Sequence, residues 1–233
     1  NDLDLVVGSR SVPKEFGFPA SSYVFVNDGK GHFKDETKNR APDFAEVGML
    51  RDVALVDLNG DKRDELVVVG DFMAPIIFEI KRQKLVKMKS NLSEFGGIWS
   101  AINVGDFNQD GKMDLVLGNV GKNSPAFHQS ILPTRIRVND FDSNGTLDKV
   151  MSKTVAGEEL PFFLKREMME QFPLLKKENL SHENFAKRKL SDLFPENLLS
   201  KSKIGEVNYN QSVIAVSNGD GSFNLVPLNT EAQ

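Results

Sequence analysis

The chain has 233 residues, enough for one large domain or two small ones, and 39% of them are hydrophobic, which supports a real core. A formal net charge of −4 speaks against nucleic acid as a partner, since such partners select a basic face. The absence of cysteine excludes disulfides, thiolate metal sites and cysteine nucleophiles, and no run of about 18 apolar residues offers a membrane span.

In chain order, the first predicted strand is Leu5-Val6-Val7-Gly8, preceded by Asn1-Asp2-Leu3-Asp4. Tyr23-Val24-Phe25-Val26 is a second strand that runs into Asn27-Asp28-Gly29-Lys30-Gly31 and on to Phe33, a hairpin whose Gly and Asn residues tolerate positive φ. Val53-Ala54-Leu55-Val56 leads into the acidic loop Asp57-Leu58-Asn59-Gly60-Asp61-Lys62-Arg63-Asp64-Glu65, and Leu66-Val67-Val68-Val69-Gly70 follows. Short β-rich runs on both sides of a polar loop predict a hairpin. Residues 75–80 and 85–88 form another such pair.

Ala101-Ile102-Asn103-Val104 enters a second acidic loop, Asp106-Phe107-Asn108-Gln109-Asp110-Gly111-Lys112-Met113-Asp114, followed by Leu115-Val116-Leu117-Gly118. Residues 119–133 are irregular, as if the third and fourth strands of this unit were replaced by loop. Trp99 is expected in the core, while Phe127 and His128 are candidates to face a ligand. Ile136-Arg137-Val138 enters a third acidic loop, Asp140-Phe141-Asp142-Ser143-Asn144-Gly145-Thr146-Leu147-Asp148. Residues 161–205 break the β pattern. Phe162, Phe163, Met169, Phe172, Leu174 and Leu175 have rough helical spacing, with Pro173 as a break. Ser181 is a cap for a second helix carrying Phe185, Ala186, Leu190, Leu193 and Phe194, and Pro195 can start a third. This stretch carries nine Lys/Arg against six Asp/Glu, so it is basic on an acidic body. It reads as a helical insertion between the second and third strands of the last unit. Ser212-Val213-Ile214-Ala215-Val216 and the turn Asn218-Gly219-Asp220-Gly221 then close that unit.

The three loops align without gaps, and their starts lie 49 and then 34 residues apart. Asn1–Asp4 fit positions six to nine of a fourth copy, so the chain reads as a mature product or an excised piece of a longer protein. Oxygen-bearing side chains fall at loop positions 1, 3, 5 and 9, and position 7 offers its backbone carbonyl. The predicted metal ligands are therefore Asp57, Asn59, Asp61, Arg63 and Glu65; Asp106, Asn108, Asp110, Lys112 and Asp114; and Asp140, Asp142, Asn144, Thr146 and Asp148, with Arg63, Lys112 and Thr146 acting through the main chain. Each set holds three carboxylates and one amide, which repel one another unless a cation sits among them. Calcium suits an all-oxygen, irregular shell better than magnesium does. An EF-hand would need a carboxylate at position 12, but Val68, Leu117 and Met151 stand there. The Asp57 loop is the poorest site, because Lys62 replaces the glycine of position 6.

These loops, with Asp-x-Asn-x-Asp-Gly-x-x-Asp-Leu-Val-x-Gly at 106–118 and Asn-Asp-Gly-x-Gly-x-Phe at 27–33, resemble the FG-GAP/VCBS repeat family, the integrin α-chain type of calcium-binding β-propeller. The resemblance implies an all-β chain, a partial propeller of about four blades with the first incomplete. Residues 1–160 would form blades, 161–206 the helical insertion, and 207–233 the completion of the last blade. It also implies Ca2+ as the bound ion and a bacterial secreted or cell-surface setting, whether extracellular or periplasmic. The expected role is a binding, adhesion or scaffold module for a protein or glycan ligand, with more chain or another copy completing the ring. The alternative is the propeller part of a carbohydrate-active enzyme such as a polysaccharide lyase. No catalytic motif supports it: His32, His128 and His182 lie far apart in sequence.

Overall fold

The computed structural model describes residues 2–124, 127, 132–177, 181–229 and 231. The chain is mostly β, arranged as antiparallel sheets, none of which closes on itself among the described residues. Strands β1 (Leu5–Val7), β2 (Tyr23–Asn27) and β3 (Phe33–Asp35) form a three-stranded sheet in that order. A short helix, α1 (Thr37–Arg40), leads to β4 (Met49–Val56), β5 (Glu65–Met73), β6 (Ile76–Lys81) and β7 (Lys84–Lys87), which pair consecutively. The acidic loop of 57–64 joins β4 to β5, so strands flank it on both sides as the apolar runs predict.

β8 (Gly97–Gly105) and β9 (Asp114–Asn119) bracket the second acidic loop. β10 (Thr134–Asn139) and β11 (Asp148–Val155) bracket the third, and β12 (Glu158–Pro161) pairs with β11. Helices α2 (Lys165–Gln171), α3 (His182–Phe185), α4 (Leu190–Leu193) and α5 (Glu196–Lys201) follow, then β13 (Lys203–Val207), β14 (Val213–Ser217) and β15 (Phe223–Pro227). Pro173 ends α2 and opens a 3-10 turn, and the Ser181 side chain accepts the Asn184 amide to cap α3.

Two strand pairings differ from the expectation drawn from sequence. β14 pairs with β9, matching Val213 to Leu117 and Ala215 to Leu115, while β15 pairs with β14 in the hairpin the sequence predicts, and β13 pairs with β10. The last hairpin therefore supplies the third and fourth strands of the Asp106 unit, giving β8-β9-β14-β15, rather than completing the Asp140 unit. Those strands are not replaced by the irregular stretch after Asn119; they arrive some ninety residues later. The Asp140 unit runs β12-β11-β10-β13, with β13 on the far edge of β10. Its helices thus follow its third strand and do not separate its second from its third.

The alternation of β5 explains how neighbouring units share one core. Successive side chains on a strand point to opposite faces. Leu66 and Val68 pack with Val24, Phe44, Leu50 and Phe78 on the side of the first sheet. Val67 and Val69 pack with Trp99, Leu115, Leu117, Ala215 and Phe223 on the side of the Asp106 unit. A strand buried on both faces must be apolar at every position, which is why residues 66–69 read as an unbroken aliphatic run. Trp99 is fully buried, its indole N–H donating to the Phe95 carbonyl at 3.1 Å.

Candidate functional site

Each acidic loop is shaped by its own side chains before any ion is considered. The position 1 carboxylate accepts the position 6 amide in all three loops: Asp57 from Lys62 at 2.9 Å, Asp106 from Gly111 at 2.9 Å, and Asp140 from Gly145 at 2.9 Å. Position 3 accepts the position 5 amide, Asn59 from Asp61, Asn108 from Asp110 and Asp142 from Asn144. Position 5 accepts the position 7 amide, Asp61 from Arg63, Asp110 from Lys112 and Asn144 from Thr146. Position 9 reaches back to the position 2 amide, Glu65 to Leu58, Asp114 to Phe107 and Asp148 to Phe141. These are Asx-type turns in series, so short Asp and Asn side chains are needed at alternate positions.

The backbone turns left-handed twice per loop, at positions 4 and 6: Gly60 and Lys62, Gln109 and Gly111, Ser143 and Gly145. The sequence reading anticipated the need at position 6 alone. The Asp57 loop has its glycine at position 4 and places Lys62 at φ 66, whereas the other two loops do the reverse.

The carboxylates converge most closely in the third loop. Oxygens of Asp140, Asp142 and Asp148 lie within 4.8 Å of one another, and among the described residues this trio alone reaches that closeness. Its third carboxylate is at position 3, where the other loops carry Asn59 and Asn108. In those loops the position 5 carboxylate is drawn aside by the position 7 cation: Arg63 Nη2 lies 2.7 Å from Asp61, and Lys112 Nζ lies 3.8 Å from Asp110. Arg63 accordingly holds the Asp61 carboxyl below its usual range. Burial pushes the Asp148 carboxyl up, with Asp142 and Asp140 adding to the effect against the Phe141 amide. Burial raises Glu65 in the same way, opposed by the Leu58 amide.

At two of the position 9 carboxylates the loop is also tied to the rest of its sheet. Asp114 is fully buried, and its second oxygen accepts the Ser217 amide at 2.9 Å. Asp4 repeats this by accepting the Asn27 amide at 3.0 Å. Asn59 instead donates to Glu65 at 3.0 Å.

Other charged groups pair among themselves. A cavity of 370 Å³ between the helices and the Asp140 sheet is lined by Arg137, Glu158, Glu159 and Lys189. Arg137 binds Glu159 in bidentate fashion at 2.8 and 3.0 Å, and Lys189 binds Glu158 at 2.9 Å. Burial disfavours the Glu159 anion, but Arg137 and Ser152 outweigh it and hold the carboxyl below its usual range. Asp71, buried on β5, takes Arg10 at 2.6 Å and Arg51 at 3.2 Å, a junction between the first two sheets that no local motif announces. Phe127 stacks obliquely on Phe162 at 5.7 Å, and His128 lies outside the described residues.

Serial Asx turns on the hairpins of repeated antiparallel sheets define a class of acidic-loop β-repeat protein. The chain belongs to the FG-GAP-like repeat family, whose model matches residues 1–68 and 57–117. No curated protein matches the chain. The third acidic loop lies outside the matched residues yet repeats the hydrogen-bond pattern of the first two.

Proposed function

We propose that this chain is a calcium-stapled, β-propeller-type repeat module that works outside the cytoplasm as a binding or scaffold surface for a protein or glycan. The convergence of Asp140, Asp142 and Asp148 is the observation that carries the reading. The donors are carboxylate, amide and main-chain oxygens, the set a hard cation selects, and an irregular shell of that kind suits calcium. Asp140, Asp142, Asn144 and Asp148 would hold the ion in the third loop, with the Thr146 carbonyl. Asp106, Asn108, Asp110 and Asp114 would do so in the second, with the Lys112 carbonyl. The first loop, Asp57, Asn59, Asp61 and Glu65 with the Arg63 carbonyl, is the weakest, because Arg63 already neutralises Asp61. A bound ion would neutralise repelling carboxylates and lock the hairpin that begins each sheet.

The four antiparallel units are read as propeller blades, the first with three strands. Exposed loops with three carboxylates suit the weak affinities of extracellular calcium modules, about 0.1–1 mM, rather than those of cytosolic buffers. Among the described residues, no helix is long and apolar enough to cross a membrane. Four charged groups of the 370 Å³ cavity are paired, Arg137 with Glu159 and Lys189 with Glu158, which favours a binding surface over a hydrolytic or lyase centre. Thermal melting with calcium and with chelator tests the ion. A ligand that binds the folded state alone raises stability by about 2.7 kcal/mol at a hundredfold excess over Kd. The melting point should rise with calcium, the rise should shrink in Asp106→Ala and Asp140→Ala, and Asp57→Ala should matter less. A melting curve indifferent to chelator would defeat the reading.

A further inference from the structure

The tightest acidic cluster and the helical insertion meet at the same loop. At position 2 of the first loop, Leu58 is buried in the core between sheets, and at position 2 of the second, Phe107 is 47% exposed. At position 2 of the third, Phe141 leaves its sheet for the helices: its ring lies 4.9 Å from Phe194 and 6.5 Å from Phe172, in a cluster with Met168, Leu190 and Leu193. The amide of this same Phe141 donates to Asp148 at 3.0 Å. Gln171, the last residue of α2, donates to the Lys149 carbonyl at 3.1 Å. On the other side of the loop, Asn139 donates to the Leu198 carbonyl at 2.8 Å. Residues before, within and after the loop are thus each held by a different part of the insertion.

We infer that the Asp140–Asp148 loop couples ion binding to the order of the helical insertion, so that calcium fastens residues 165–201 onto their sheet and chelation loosens them. This rests on the calcium reading proposed above. Without a cation, repulsion among Asp140, Asp142 and Asp148 acts on a loop whose position 2 ring is the anchor of the helical core. With a cation, the loop closes and Phe141 is fixed between Phe172 and Phe194. Linkage requires the converse: a cap that is already docked raises the affinity of the loop for the ion by the same factor. The first two loops lack helices, so their ions would not act on the insertion.

Hydrogen exchange followed by mass spectrometry, with calcium and with chelator, tests the coupling on the whole chain. Calcium should slow exchange in 165–177 and 181–201 by at least about fivefold, the lower end of ordinary coupling energies. Asp142→Asn, which removes a carboxylate without touching the aromatic cluster, should abolish that response. Phe172→Leu, which keeps an apolar side chain, should weaken calcium binding at this loop by a similar factor in titration calorimetry. Bound calcium with unchanged exchange in the insertion would overturn the coupling and leave the calcium reading standing. Absence of calcium binding would overturn both.

Discussion

At the scale of single residues, the loops show one backbone solution reached by two placements of glycine. A non-glycine residue in the left-handed region costs roughly 1–2 kcal/mol. Lys62 bears that cost at position 6, and Gln109 and Ser143 bear it at position 4. Lys62→Gly should therefore stabilise the chain by about 1 kcal/mol, after allowing for the greater chain entropy of glycine, as measured by denaturant unfolding. An unchanged or lower midpoint would contradict the strain. Asp148 gives a prediction with two signs. Its folded carboxyl is raised above the ordinary carboxylate range by burial. In chelator, its contribution to stability is then best below the ordinary range and declines as pH rises through the folded value. Asp148→Asn should thus raise the melting point in chelator near neutral pH and lower it in calcium. The same sign in both conditions would show that Asp148 does not serve an ion.

At the scale of elements, the hairpins around each acidic loop were legible because both signals are local. Asp and Asn at alternate positions specify Asx turns, and the aliphatic runs beside them specify strands. The sequence reading also recovered Pro173 and Ser181 as helix boundaries, since capping acts within one turn. It misplaced the last hairpin, because the match of Val213 to Leu117 is a register between distant segments and leaves no local mark. It missed Gln171 and Phe141 for the same reason: their contacts exist only once the helices dock. Removing residues 210–233 tests this pairing. Loss of β14 and β15 exposes the edge of β9 and uncovers Leu115 and Leu117, and unpaired apolar edges promote association. The truncated chain should lose cooperative unfolding or aggregate at calcium levels that keep the whole chain monodisperse. A cooperative monomer would place the last hairpin elsewhere.

At the scale of the whole molecule, cohesion comes from strands that are buried on both faces and shared between neighbours. β5 packs the first sheet with one face and the Asp106 unit with the other. Trp99 sits at the centre of the second of these contacts, so Trp99→Ala should cost about 3–5 kcal/mol and weaken two units together, visible as a single shifted unfolding transition. Two separate transitions would mean the units do not share a core. Acidic loops lie on the connections that open these sheets, where ions would join adjacent strands rather than remote domains. Mass spectrometry of the native chain after dialysis against millimolar calcium tests this most directly. The mass should rise by one calcium for each occupied loop, and Asp140→Ala should lower the count by one while the fold is retained. A bare chain mass at millimolar calcium, or a count that Asp140→Ala leaves unchanged, would contradict a metal role for the third loop.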